Sequence, residues 1–210
     1  MPRKLGRQRP SKKIGQKVLI ACEGSKTEPG YFESIRKELR LTTLQIILVP
    51  HRGKTDPRSV IDTAIEKRQE MRREKSWTQG DKAWAIFDGD EHIEQNYENW
   101  KGAIDRATSQ NVHLAITNPC FEFWYLIHFR DHFSQINRDR VIALLKDYIP
   151  DYEKSICLYP KPLKDLTTQA IQRAERIAEQ IQRDALDEYS NPCCSRLPNL
   201  VQSLLNLKSS

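Results

Sequence analysis

Residues 18–32, which read VLIACEGSKTEPGYF, contain the first signals from which the fold can be predicted. Val18 to Cys22 is a continuous apolar run, as expected of a strand that is buried on both faces of a sheet. The run ends at Glu23, and Pro29 stands in the first-turn position that proline favours in helices. The segment therefore predicts a buried strand, a turn and a helix in that order.

The same order of elements recurs along the first half of the chain. Apolar runs predict three further strands, at Leu44–Val49, Ala83–Phe87 and His113–Thr117, and amphipathic helices separate them. Asp56-Pro57 is a helix-start signal, and the charged stretch Lys67–Lys75 is interpreted as the exposed continuation of that helix. Buried strands that alternate with helices predict an α/β fold with a mostly parallel four-stranded sheet flanked by helices.

Beyond Asn118-Pro119 only helical patterns are recognisable. They span Cys120–Phe129, Asn137–Asp147, Leu166–Leu186 and Pro198–Leu207. A chain of 210 residues fits one hydrophobic core. We therefore expect a basic flexible N-terminal arm over residues 1–17, an α/β core over 18–130, and a helical C-terminal part over 131–210 that packs on the same domain.

The net charge of +6 is concentrated in the predicted arm. Residues 1–17 carry seven Lys or Arg and no acid, which leaves a net charge of −1 for the remainder (6 − 7). Such an arm can follow a phosphate backbone, and a solvated tail is an equally good interpretation. Because no apolar stretch resembles a secretory signal or is long enough to span a bilayer, we expect a cytoplasmic protein without membrane contact. Five cysteines without a C-x-x-C pair argue against a disulfide framework and a zinc ribbon.

Three acidic residues stand where predicted strands end. Glu23 follows the first strand, and Asp88 and Asp90 follow the third. The carboxyl ends of parallel strands meet at one edge of a sheet, and acids two residues apart in extended backbone point the same way, about 6–7 Å from each other. Crowded carboxylates repel each other unless a cation such as Mg²⁺ or Mn²⁺ neutralises them. These acids therefore predict a metal site, and a helix cap or turn is the alternative for the D-x-D alone.

Three motifs, CEGSKTE at residues 22–28, FDGDEH at 87–92 and NPCFEFWYLIH at 118–128, resemble those of the RloB family, which belongs to the wider Toprim group. The resemblance extends from about Val18 to the C-terminal helix. It implies a Toprim-like sheet in which Glu23, Asp88 and Asp90 are the metal-binding acids. Glu28 resembles a second glutamate that holds a second metal in Toprim nucleases of the OLD type. An acid that interacts with the helix dipole is the alternative for Glu28.

The resemblance also implies a function. We expect a nuclease that cleaves phosphodiester bonds of DNA or RNA, including transfer RNA, with two Mg²⁺ or Mn²⁺ ions stabilising the attacking and leaving oxygens. Asp88, Asp90 and Glu28 would be ligands, and Glu23 would be a ligand or general base. RloB-like proteins resemble effectors of bacterial anti-phage systems that work with an ABC- or SMC-type ATPase. A second copy of the chain is a further candidate partner.

Other polar residues near the motifs are candidates for supporting roles. Glu122 could reach the same sheet edge as a metal ligand, or it could be a structural acid. His92 could act as an acid or base, or it could begin the next helix. Lys26, Lys154 and Lys161 could contact a phosphate, or each could be a surface lysine.

Three rival functions are weighed against the nuclease. In a haloacid-dehalogenase-like phosphatase the D-x-D should follow the first strand, whereas here it follows the third. A P-loop NTPase is excluded because Lys26-Thr27 lacks the preceding glycine loop. A non-catalytic adaptor, whose carboxylates bind a metal or an ATPase surface, remains open.

Overall fold

The computed structural model describes residues 16–41, 46–50, 56–89, 92–93 and 96–207. In this part of the chain a five-stranded sheet has the order β2-β1-β3-β4-β5. Its strands are β1 (Val18–Cys22), β2 (Ile46–Pro50), β3 (Lys82–Asp88), β4 (His113–Asn118) and β5 (Cys193–Ser195). β1 pairs in parallel with β2 and β3, β3 pairs in parallel with β4, and β5 is antiparallel to β4. The predicted α/β class is confirmed.

Two features of the predicted sheet are wrong. The sheet has a fifth strand, and the region beyond residue 118 is therefore not purely helical. β5 contains only three residues, which is too short to produce a recognisable alternation of apolar and polar positions.

Seven helices flank the sheet in the described residues. They are α1 (Thr27–Glu38), α2 (Pro57–Arg73), α3 (Tyr97–Ser109), α4 (Glu122–Leu126), α5 (Arg138–Lys146), α6 (Thr167–Arg183) and α7 (Leu197–Asn206), with a short 3₁₀ helix at Lys164–Leu166. The predicted start of α2 is confirmed, because the Asp56 side chain accepts a hydrogen bond from the Ser59 N–H at 3.1 Å. Asn137 caps α5 in the same way through the Arg140 N–H.

Apolar side chains cover both faces of the sheet. Along β1, Val18, Ile20 and Cys22 belong to a cluster that includes side chains of α1 and of the helices after residue 118. Leu19 and Ala21 point to the opposite face, where they join side chains of α2 and α3. Two apolar faces explain why β1 is a continuous apolar run. The first cluster also contains Leu145, Ile177 and Leu200. The C-terminal helices therefore pack on the face of the sheet to which Val18 and Ile20 point.

The interpretation of Lys67–Lys75 as an exposed stretch is wrong at two positions. Arg68 is only 4% exposed and Met71 only 5%, because the inner face of α2 continues through this charged segment. Residues 1–15 of the predicted basic arm lie outside the described residues. In the part that is described, no helix has both the length and the apolarity that a membrane crossing requires. All five cysteines are free thiols, and four of them are buried.

Candidate metal-binding cleft

Glu23 connects the carboxyl ends of β1 and β3. Its backbone N–H donates a hydrogen bond to the Ile86 carbonyl at 2.9 Å, which extends the pairing of the two strands by one residue. Its side-chain Oε2 accepts a hydrogen bond from the Asp88 N–H at 3.0 Å. The parallel register therefore brings Glu23 beside Asp88, although 65 residues separate them along the chain.

Glu28 lies in the first turn of α1 and is only 6% exposed. Its Oε1 accepts a hydrogen bond from the Gly24 N–H at 3.1 Å. A Cβ atom at residue 24 would lie 2.2 Å from Oε2 of Glu28, far inside van der Waals contact. The carboxylate therefore occupies the space that any side chain at residue 24 would need, which explains the glycine at this position.

Asp88 is the last residue of β3, and two side chains contact its carboxylate. The Thr117 hydroxyl, from the neighbouring strand β4, donates to Oδ1 at 2.9 Å. Arg138, at the start of α5, donates from Nη2 to Oδ2 at 3.3 Å. Burial raises the pKa of Asp88 well above its ordinary value, and the charges of Glu28 and Glu23 raise it further.

Glu122, at the start of α4, is 2% exposed and lies close to the same acids. The Tyr152 hydroxyl donates to its Oε1 at 3.1 Å, and the Lys154 ammonium lies 3.9 Å from the same oxygen. Burial raises the pKa of Glu28, hydrogen bonds from backbone N–H groups oppose that rise, and the charges of Glu122 and Glu23 add to it. The pKa values of Glu28 and Asp88 are therefore raised first by burial and then by the negative charges of the neighbouring acids.

These acids line one cleft of about 360 Å³ at the carboxyl edge of the sheet. Most of the side chains proposed from the sequence are brought together there: Glu23, Glu28, Asp88, Glu122, Lys26, Lys154 and His92. His92 contacts Glu23, with Nε2 3.1 Å from Oε1. Lys161 is exposed and does not line this cleft, so a role for it in phosphate contact there is not supported. Asp90 lies outside the described residues.

The donor chemistry of the cleft fits a divalent cation. Its carboxylates supply the hard oxygen ligands that Mg²⁺ and Mn²⁺ prefer, and a cation would relieve the repulsion between them. Among the described residues, however, no three His, Cys, Asp or Glu side chains are already arranged as a metal site. Glu23 instead contacts His92, Asp88 contacts Arg138, and Glu122 contacts Tyr152. An ion bound here would replace some of these contacts.

Three side chains that contact the acids were not identified from the sequence. Arg138 lies 50 residues after Asp88, and Tyr152 lies 30 residues after Glu122. Neither belongs to a recognisable motif, and both come from the helical region whose packing on the sheet a linear pattern does not specify. Thr117 could have been found, because it is next to the last residue of β4 and pairs with Asp88 in the register of the sheet.

A comparison with protein families agrees with the motifs that line the cleft. The sequence model of the RloB-like protein family matches residues 18–204, from the first residue of β1 into α7. Comparisons with curated proteins and with solved structures found no significant match. The chain therefore belongs to the RloB-like family.

Proposed function

We propose that the chain is a Toprim-type nuclease that hydrolyses phosphodiester bonds of DNA or RNA, including transfer RNA, with Mg²⁺ or Mn²⁺. One observation carries the proposal: the carboxylates of Glu23, Glu28, Asp88 and Glu122 line a single cleft together with cationic side chains. They come from the ends of two strands and the starts of two helices. Carboxylates brought this close repel one another and raise one another's pKa, which lowers the stability of the fold. Clusters of this kind are typical of functional sites.

When bound, two metal ions would neutralise the scissile phosphate and activate water for in-line attack. Glu23, Glu28, Asp88 and Glu122 are the residues that would hold the ions, together with Asp90 of the same D-x-D motif. Two ions are expected from the family resemblance, and the four acidic side chains in the cleft supply enough oxygen donors for them.

The cationic side chains of the cleft have a separate task. Arg138, Lys26 and Lys154 would bind the non-bridging phosphate oxygens and hold the substrate against the acids. His92 contacts the Glu23 carboxylate, and this contact holds the imidazole at the cleft. A protonated His92 would give its proton to the leaving oxygen of the cleaved strand.

The family resemblance supports a proposal about the biological setting of this activity. We propose that the nuclease is the effector of a bacterial anti-phage system and works with an ABC- or SMC-type ATPase. The chain lacks the glycine loop of a P-loop NTPase, so ATP hydrolysis would belong to the partner.

A non-catalytic adaptor is the second candidate function, and a specific observation favours it. Each of Glu23, Asp88 and Glu122 already has a protein partner, in His92, Arg138 and Tyr152. Carboxylates with such partners can hold elements together without an ion. In an adaptor, Arg138 and Tyr152 would fix α5 and the following loop to the sheet, and no substrate would be cleaved.

The deciding experiment is a cleavage assay. Purified protein is incubated with plasmid DNA or total cellular RNA in Mg²⁺, Mn²⁺ or EDTA, with and without the candidate ATPase. The variants Asp88→Asn and Glu23→Gln remove ligand charge with little change in shape. Glu33→Gln is a matched control, because Glu33 is in α1 but pairs with Arg36, outside the cleft.

Metal-dependent cleavage by the wild type and by Glu33→Gln, and its loss in the two cleft variants, would support the nuclease. Absence of cleavage by the wild type under every condition, with the ATPase present, would favour the adaptor.

A further inference from the structure

Arg68 of α2 is a buried cation. The residue is 4% exposed, and its Nε has no hydrogen-bond partner among the described residues. Its Nη1 donates to the Asn111 carbonyl at 3.0 Å. Among the described residues, no carboxylate lies within ion-pairing distance of this guanidinium. Burying an unpaired guanidinium is unfavourable, and binding of an anion would stabilise it.

A polar cleft of about 380 Å³ lies next to Arg68. Two more cations line it, Arg72 from the last turn of α2 and Lys82 from the first position of β3. Both are exposed, and neither has an ion-pair partner in the part of the chain that the structure describes. The cleft is thus at the amino end of β3, whereas Asp88 is at the carboxyl end of the same strand.

Among the described residues that line the cleft, the one acid is Asp81, and its carboxylate is already hydrogen-bonded elsewhere. Its Oδ1 accepts a hydrogen bond from the Lys17 N–H at 2.8 Å, and its Oδ2 accepts one from the Thr78 N–H at 2.7 Å. The Lys17 ammonium lies 3.9 Å from Oδ2. Asp81 therefore connects the residues that precede β1 and β3. Arg68, Arg72 and Lys82 are the cations that could bind a ligand.

Two aromatic side chains complete the lining. Trp77 is half-buried and packs partly on the apolar cluster beneath α2, which leaves part of its indole ring on the cleft. His113 stacks on Trp84, with ring centroids 4.8 Å apart. Burial lowers the pKa of His113, so at neutral pH it offers a neutral ring nitrogen for hydrogen bonding. Cations beside an indole ring are the combination that binds nucleotides, since phosphates pair with the cations and bases stack on the ring.

We propose that this basic cleft binds a nucleoside phosphate, with Arg68, Arg72 and Lys82 on the phosphate and Trp77 against the base. The cleft volume lies within the range of about 300–1,000 Å³ that is usual for small-molecule sites. This proposal does not depend on the proposed nuclease activity. None of the residues that line the basic cleft also lines the candidate metal-binding cleft. Burial, and then the nearby Arg72 charge, lower the pKa of Arg68, and the negative charge of a bound anion would oppose both effects.

The test is isothermal titration calorimetry of the full chain with AMP, ATP, inorganic phosphate and a short single-stranded oligonucleotide. EDTA is present, so that nucleotides cannot bind the acidic cleft through a metal. The variants are Arg72→Gln and Lys82→Gln, both at exposed positions where the fold should persist. Arg73→Gln is the matched control, because Arg73 is exposed, follows Arg72 directly and does not line the cleft.

We expect AMP and ATP to bind the wild type and Arg73→Gln alike. In Arg72→Gln and in Lys82→Gln we expect a dissociation constant about tenfold higher, as for the loss of one charge-assisted hydrogen bond. Trp77→Leu should weaken AMP binding and leave phosphate binding unchanged.

Four results would overturn the proposal. One is the absence of nucleotide binding to the wild type at millimolar concentration. A second is equal weakening by Arg73→Gln, which would indicate a non-specific effect of surface charge. A third is binding of the oligonucleotide but not of AMP or ATP, which would make the cleft part of a nucleic-acid surface. A fourth is AMP binding that Trp77→Leu leaves unchanged, which would remove the base contact.

Discussion

Replacing Gly24 by alanine should displace the Glu28 carboxylate without disturbing the fold. A Cβ at this position would lie 2.2 Å from Oε2, 2.6 Å from Oε1 and 2.7 Å from Cδ of Glu28. Gly24 does not have the positive φ that only glycine adopts readily, so an alanine causes no backbone strain. The flexible glutamate is the group that must move.

The size of the effect follows from these distances. Ordinary contact begins at 3.4 Å, so the carboxylate must retreat by more than about 1 Å. A shift of that size in a catalytic group costs about 10²-fold in rate. The Gly24 N–H also loses its acceptor, but it is only half-buried and water can replace the carboxylate, so stability should fall by about 1 kcal/mol.

The assay measures metal-dependent cleavage, Mn²⁺ binding by calorimetry and the melting temperature of each variant. Gly30→Ala is the control, because Gly30 is in α1 near Glu28 but a Cβ there meets no atom within 4 Å. Alanine is the better helix former, so this control should gain about 0.5–1 kcal/mol and keep full activity. If Gly24→Ala cleaves and binds Mn²⁺ like the wild type, the position of Glu28 is irrelevant to the chemistry and the reasoning fails.

Three further predictions concern single side chains. Glu122→Gln should weaken Mn²⁺ binding about tenfold in calorimetry, and unchanged Mn²⁺ affinity would contradict this prediction. The same variant should raise the melting temperature, because the repulsion by which the Glu122 charge raises the pKa of Glu28 is removed. Arg138→Gln should weaken nucleic-acid binding and reduce the salt dependence of log K by about one, and an unchanged slope would exclude a phosphate contact. Burial lowers the pKa of His128 to about 4, so urea titrations should show about 3 kcal/mol of stability lost as the pH falls from 6.5 to 4, and His128→Gln should remove this loss.

The sequence predicts those parts of the fold and the cleft that depend on local patterns. The four parallel strands are apolar runs long enough to be recognised, and the first turn of α2 is marked by Asp56-Pro57. Glu23 and Asp88 could be placed together because parallel strands share one carboxyl edge. Glu28 was identified because it completes the E-G-x-x-x-E pattern of the family resemblance, and Glu122 because it lies one helical turn after Pro119.

Features that depend on packing between distant segments were missed. β5 pairs with β4 through three residues whose sequence, CCS, has no strand signal of its own. The contact between Arg138 and Asp88 depends on where α5 lies against the sheet. Arg68 was predicted to be exposed because its neighbours in sequence are charged. In the structure it lies on the buried side of α2 and contacts the Asn111 carbonyl. A charge count does not reveal which side of a helix is buried.

Strand β3 reaches both clefts, with Lys82 at one end and Asp88 at the other, about 20 Å apart for seven extended residues. The residues between them are buried on both faces, so the strand has no alternative packing into which a ligand could shift it. The separation also exceeds the Debye length of about 8 Å at physiological ionic strength. The coupling free energy between the two ligands should therefore be close to zero. The occupancy of each site should depend only on the concentration of its own ligand.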